Sequence, residues 1–172
     1  MNSSEISKLL GSTTDEWVKF GEVLNAPPCL GLYVIRVTDA KAIGRLRGNS
    51  DLIYIGQGDL RGRAKAHRNL RSDFKGKGWL LHLITTGGSV GGLEIAFFPC
   101  ENPKQREDEL LFKYFTEHLE LPPANNKLGT LSDSQKLVMA AMGLIPGSTS
   151  GRGELFLKIL SDRRSKAGGS GL

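Results

Sequence analysis

Apolar residues along the chain fall into short blocks whose spacing changes from block to block. LGLYVIRV (30–37), DLIYIG (51–56) and LEIAFFPC (93–100) are rich in β-branched and aromatic residues and bounded by Pro, Gly, Asn or Asp, so each reads as a strand. The first two are expected to pair as an antiparallel hairpin with a long basic loop between them. Alternation gives Tyr33, Ile35 and Val37 one face of the first strand, while Leu52, Tyr54 and Gly56 share a face of the second. Elsewhere the period turns helical. TDEWVKFGEVL (14–24) predicts a short amphipathic helix, capped at Thr14 and stopped by NAPP. Asp59 predicts a second N-cap, just after Gly56 and Gly58 end the strand. NPKQREDELLFKYFTEHLEL (102–121) carries the strongest helical signal, with Pro103 in its first turn and Pro122 and Pro123 beyond its end. Its apolar stripe is Leu111, Tyr114, Phe115 and His118. Further helices are expected over SDSQKLVMAAMG (132–143) and ELFLKILSDRR (154–164). KGKGWLLHLITT (75–86) is ambiguous with a short helix favoured, GGSVGG (87–92) is a turn or loop, and SKAGGSGL (165–172) is expected to be disordered.

Two residues interrupt the helical pattern after Asp59. Leu60, Arg63, Ala64 and His67 follow the i, i+3, i+4, i+7 rule and share one stripe, whereas Arg61, Lys65 and Arg68 form a solvated basic face. A guanidinium turned toward a core costs several kcal/mol, roughly, unless a partner meets it. Either Arg63 and His67 point into a cleft that receives an anion, or Arg63 snorkels past a small core edge and His67 is exposed. Glu107 mirrors this on the long helix, one turn before Leu111 on the apolar stripe, while Glu109 lies well round the helix from it.

The chain has 172 residues, enough for one domain with a real core. No run is long and apolar enough to span a membrane, so no membrane partner is expected, and the first residues show no secretory signal. Cys29 and Cys100 have neither zinc-site nor disulfide-framework spacing, which fits a reduced, cytoplasmic protein. The net charge of +5 is modest, but Arg45, Arg47, Arg61, Arg63, Lys65, Arg68, Arg71, Lys75 and Lys77 cluster against only Asp51, Asp59 and Asp73. That clustering suits a phosphate backbone, or else a solvated face that keeps the protein soluble.

GLY at Gly31–Tyr33, YIG at Tyr54–Gly56, Arg63 and His67 in the following helix, and Glu107 in a later helix before PPANN resemble the GIY-YIG nuclease superfamily. The resemblance implies an α+β fold: a small three-stranded antiparallel sheet flanked by helices over 30–127, with helical extensions at 1–29 and 128–172. It implies a metal-dependent endonuclease for DNA, double-stranded by preference, with single strands or RNA as other substrates. Restriction, defence or phage/mobile-element roles fit the chain length. A homodimer on DNA would suit cleavage of both strands. Tyr33 is then the candidate general base, Tyr54 and His67 its helpers, and Arg63 the phosphate ligand. Glu107, with Glu109 as the alternative, holds one Mg²⁺ or Mn²⁺ ion. Asn125, or Asn126, anchors the site. Arg45, Arg47, Arg61, Lys65, Arg68 and Arg71 are candidate nucleic-acid contacts. The competing expectation is a non-catalytic nucleic-acid-binding module that keeps the fold.

Overall fold

Strand β2 (Leu30–Val37) has a partner along each edge, and the rest of the sheet is built from it. The computed structural model describes residues 1–11, 17–19, 26–37, 43–68, 92–125 and 127–143, without the side chains of His67 and Arg68. The segments 75–86, 87–91 and 154–172, for which helices, a turn and a tail are expected, lie outside the described residues. β5 (Leu52–Asp59) runs antiparallel to β2, with Tyr33 opposite Gly56 and Ile35 opposite Tyr54. β6 (Leu93–Pro99) runs antiparallel along the other edge, with Tyr33 opposite Phe97 and Ile35 opposite Ile95. All three are strands where the apolar blocks place them, and the β2–β5 hairpin forms as expected.

The sheet has a fourth strand, in the order β1-β6-β2-β5. β1 is Val18–Lys19, paired antiparallel to β6 through Val18 opposite Ile95. At Val18–Lys19 this overturns the helix expected over 14–24, whose apolar period competes with an open sheet edge; 14–16 and 20–24 lie outside the described residues. β-branched Val18 gains a ladder there, and the adjacent Trp17 ring takes the Arg36 guanidinium 4.0 Å from its centroid. Arg36 is held in turn by Glu94 on β6, Nη2 to Oε2 at 2.8 Å. The basic loop between β2 and β5 contains a small ribbon, β3 (Ile43–Gly44) with β4 (Asn49–Ser50).

Leu32, Tyr33, Val34 and Ile35 are all buried, so β2 has a covered face on both sides and not one. On one face Tyr33, Ile35, Val37, Ile53 and Ile95 cluster with Leu60 and Ala64 of α2 (Leu60–Arg68). α3 (Pro103–His118) packs along β5 and β2 and buries the predicted stripe of Leu111, Tyr114, Phe115 and His118, widened by Leu110. β5 does not stop at Gly56 or Gly58. It continues to Asp59, because Gly58 adopts φ +139 opposite Gly31, a conformation closed to most side chains. Asp59 still caps the helix as expected, its Oδ2 accepting from Gly62 N at 2.9 Å.

Near the N-terminus, α1 (Ser3–Leu9) begins with a capping box between Asn2 and Glu5. Ser3 donates from both its amide and its hydroxyl to Asp51, and Ile6 is fully buried. The chain divides into two compact units, Met1–Asn125 and Asn126–Leu172. In the second, α4 (Asp133–Ala141) forms where SDSQKLVMAAMG predicts it, with Ser132 and Gln135 closing a capping box. The molecule is thus α+β, with an antiparallel four-stranded sheet and helices. Among the described residues no helix is long and apolar enough to cross a membrane.

Candidate active site

The register that sets Tyr33 opposite Gly56 also explains why a glycine stands there. A Cβ at 56 would lie 2.4 Å from Tyr54 Cε1, 2.5 Å from Tyr33 Cζ and 2.6 Å from Tyr33 Oη. The Tyr33 ring therefore folds over bare backbone, and Tyr54 leans on it with ring centroids 5.6 Å apart.

Tyr33 is 2% exposed. Burial pushes its phenol far above the usual tyrosine range, and the charge of Tyr54 and a hydrogen bond with it push the same way. The Arg63 guanidinium pulls it down and the Glu107 carboxylate adds a smaller upward push. Side chains from β5, α2 and α3 thus act on one hydroxyl carried by β2. Because the folded state holds this proton more tightly than the unfolded chain, Tyr33 contributes stability in full below pH about 10 and loses it as pH rises above that. The stability of wild type relative to Tyr33→Phe should therefore hold level up to about pH 10 and then fall by about 1.4 kcal/mol per pH unit, read from urea midpoints. Parallel losses in the two proteins would show that Tyr33 titrates normally.

Two expectations stand for Arg63, a guanidinium turned into a cleft and one that snorkels past a small core edge. Leu60 and Ala64 take the buried positions of α2, and Arg63 is exposed. Its side chain lies across Gly58, where an added Cβ would stand 3.0 Å from Nε and 3.6 Å from Nη2. The bare backbone at 58 is what lets the guanidinium stay hydrated and still act on Tyr33. The side chain of His67 lies outside the described residues.

On α3, Glu107 has a side chain 16% exposed, with Lys104 Nζ 3.9 Å from its Oε2. Glu109 is taken up along its own helix, accepting from Gln105 Nε2 at 2.8 Å and Arg106 Nη1 at 3.3 Å. Between the two acids, Glu107 is the one that acts on Tyr33. Among the described residues no three His, Cys, Asp or Glu side chains converge as a metal cluster.

Asn125 is buried and substitutes for a missing strand. Its Oδ1 accepts from Ile55 N at 3.0 Å and its Nδ2 donates to Ile55 O at 2.7 Å. Ala124 N donates to Ile53 O at 3.0 Å beside it. β5 is the sheet's edge strand, so these bonds satisfy its outward backbone groups and pin the residues on either side of Ile55, Tyr54 and Gly56. Asn126 lies outside the described residues.

The basic residues separate into distinct groups. Arg45 is not available to a phosphate: its side chain is 7% exposed, its Nε lies 2.9 Å from Glu120 Oε1, and its Nη2 donates to Leu121 O at 2.7 Å. It ties the β3–β4 ribbon to the chain leaving α3. Arg47, Arg61 and Lys65 are exposed, whereas the side chain of Arg68 and all of Arg71 lie outside the described residues. His118 is structural, buried with its Nδ1 2.7 Å from Arg47 O and its ring against Tyr114. Cys29 and Cys100 are free and partly buried. Two features were legible but unread in the sequence: the glycines that seat Tyr33 and Arg63, and the i, i+3, i+4 spacing of Lys104, Glu107 and Asp108.

Comparison of the chain with protein-family models, with curated proteins and with solved structures finds no match.

Proposed function

We propose that the chain is a metal-dependent endonuclease of the GIY-YIG type that hydrolyses DNA phosphodiester bonds. The observation that carries this reading is that Gly56 and Gly58, two residues apart on β5, seat the buried Tyr33 ring and the Arg63 side chain respectively, with the charges of Arg63 and Glu107 both felt at the Tyr33 hydroxyl. A cation and an acid acting at one phenol are groups that attack on a phosphodiester needs around its phosphorus. On this reading β2, β5 and β6 are the three-stranded core of the family, and β1 and the β3–β4 ribbon are additions.

Roles follow from residue chemistry. Arg63 takes the scissile phosphate through its planar fork, and its exposure leaves that fork accessible. Glu107 fits Mg²⁺ or Mn²⁺, since such an ion needs only one or two carboxylates beside waters and substrate phosphate. When bound, the ion supplies charge neutralisation at phosphorus and an acidified water. Tyr33 enters as a neutral phenol, because burial holds its proton on. Positive charge at Arg63 eases that proton off, and a cation held by Glu107 would cancel the opposing push of its carboxylate, which is how a buried tyrosine becomes a general base. Tyr54 holds the Tyr33 hydroxyl, and His67 is the further candidate for relaying its proton. Asn125 keeps β5 in register beneath the tyrosines. Arg47, Arg61 and Lys65 track the backbone of the nucleic acid. One site makes one nick, so cutting both strands takes a second copy or a second binding event.

The test is a time course with Mg²⁺ on supercoiled plasmid, single-stranded DNA and RNA, with Glu107→Ala run beside wild type and binding measured in parallel. Wild type should nick the plasmid, and the variant should lose about a hundredfold or more in rate while binding within a few fold. If both bind and neither cuts, the non-catalytic binding module replaces this reading. A variant as fast as wild type removes Glu107 from the mechanism.

A further inference from the structure

Lys104 stands in the first turn of α3, one turn ahead of the adjacent acids Glu107 and Asp108, and reaches toward both. Its Nζ lies 2.5 Å from Asp108 Oδ1 and 3.9 Å from Glu107 Oε2. The exposures are graded: 57% for the Lys104 side chain, 16% for Glu107 and 11% for Asp108. The ammonium thus sits on the water side of two carboxylates that are largely withdrawn from water. Partly desolvated neighbouring carboxylates repel one another and favour a cation between them and solvent. Lys104 is that cation, carried by the chain itself.

Any divalent ion on Glu107 would meet this ammonium as a like charge a few ångströms away. Lys104 can give way, because it is a point charge on a flexible four-carbon stem that is mostly hydrated. Asp108 gives it a place to remain, since the shorter of its two contacts is there. We propose that Lys104 is a resident counter-ion of the Glu107–Asp108 pair and lowers the affinity of Glu107 for a divalent metal. It is a positioning residue and not a ligand. The proposal rests on the reading of Glu107 as the metal-binding acid. Its consequence is a site that holds the ion loosely until a phosphate adds its own oxygens, so that metal and nucleic acid bind with mutual reinforcement.

The experiment is a titration of the full chain with Mn²⁺ in the absence of nucleic acid, followed by the electron-spin resonance of the free ion. Wild type, Lys104→Met, Lys104→Gln, Glu107→Gln and the Lys104→Met/Glu107→Gln double variant are compared. Both Lys104 variants should bind Mn²⁺ about three- to tenfold more tightly than wild type, the size expected for removing a largely exposed charge. The gain should vanish in the double variant. If Glu107→Gln weakens binding but the Lys104 variants match wild type, the counter-ion proposal is overturned and the metal reading of Glu107 stands. If Mn²⁺ binding is indifferent to Glu107 in every background, the metal reading fails and the counter-ion proposal fails with it.

Discussion

Arg63→Ala should slow cleavage by about two to three orders of magnitude, and Arg63→Lys should recover only part of that loss. Arg63 lies over Gly58 at the end of β5, and its guanidinium acts on Tyr33 with the sign of a positive charge. Removing it takes away a phosphate ligand and the charge that draws the phenol's affinity for its proton downward. Lysine restores a charge but not the fork. Its ammonium is one rotatable point, and two parallel bonds to phosphate oxygens cannot be made from it. Because Arg63 is exposed, the alanine variant should fold normally. Single-turnover rates at saturating protein, with urea midpoints measured alongside, separate the two effects. A rate loss shared equally by Arg61→Ala and Lys65→Ala would assign Arg63 to general backbone binding.

Gly56→Ala should damage both stability and activity, although it adds one methyl group. The new Cβ would stand within 2.4–2.6 Å of atoms in the Tyr54 and Tyr33 rings, and both rings would have to move. Tyr33 has little room to do so, being buried among Ile35, Ile53, Leu60 and Ala64. Overpacking of this kind costs about 1–3 kcal/mol, read as a lowered urea midpoint with unchanged slope. Activity should fall further than the folded fraction accounts for, because the Tyr33 hydroxyl is the displaced atom. Gly44→Ala is the control: its nearest neighbour, Asn49 Oδ1, is 4.0 Å from the added Cβ, so it should leave both properties unchanged. An equal effect at 44 and 56, or none at 56, would contradict the steric account of Gly56.

These two variants probe different layers of one arrangement. Arg63 supplies charge from the surface of α2, and Gly56 supplies the flat floor on which Tyr33 lies. Asn125 connects them through β5, since its paired bonds to Ile55 fix the strand that carries Tyr54, Gly56 and Gly58.

By itself the sequence determined β2, β5, β6, α2, α3 and α4, together with the cap at Asp59 and the buried stripe of α3. Periodicity, stop residues and capping side chains act over a few residues, so they are written locally. Alternation also grouped Tyr33 with Ile35 on β2 and Tyr54 with Gly56 on β5, and the pairing register then set Tyr33 opposite Gly56 and Ile35 opposite Tyr54. The tertiary structure decided the rest. Val18 is in a strand because β6 offers it an open edge far along the chain, and no local pattern records that edge. Arg45 is turned inward because Glu120 and the Leu121 carbonyl stand where its guanidinium reaches. Arg63 remains hydrated because a glycine on the preceding strand leaves its side chain a path over the backbone. In each case the outcome depends on which group lies opposite across a long stretch of chain. Burial and pairing energies are set by that neighbour, and the residue's own identity leaves them open.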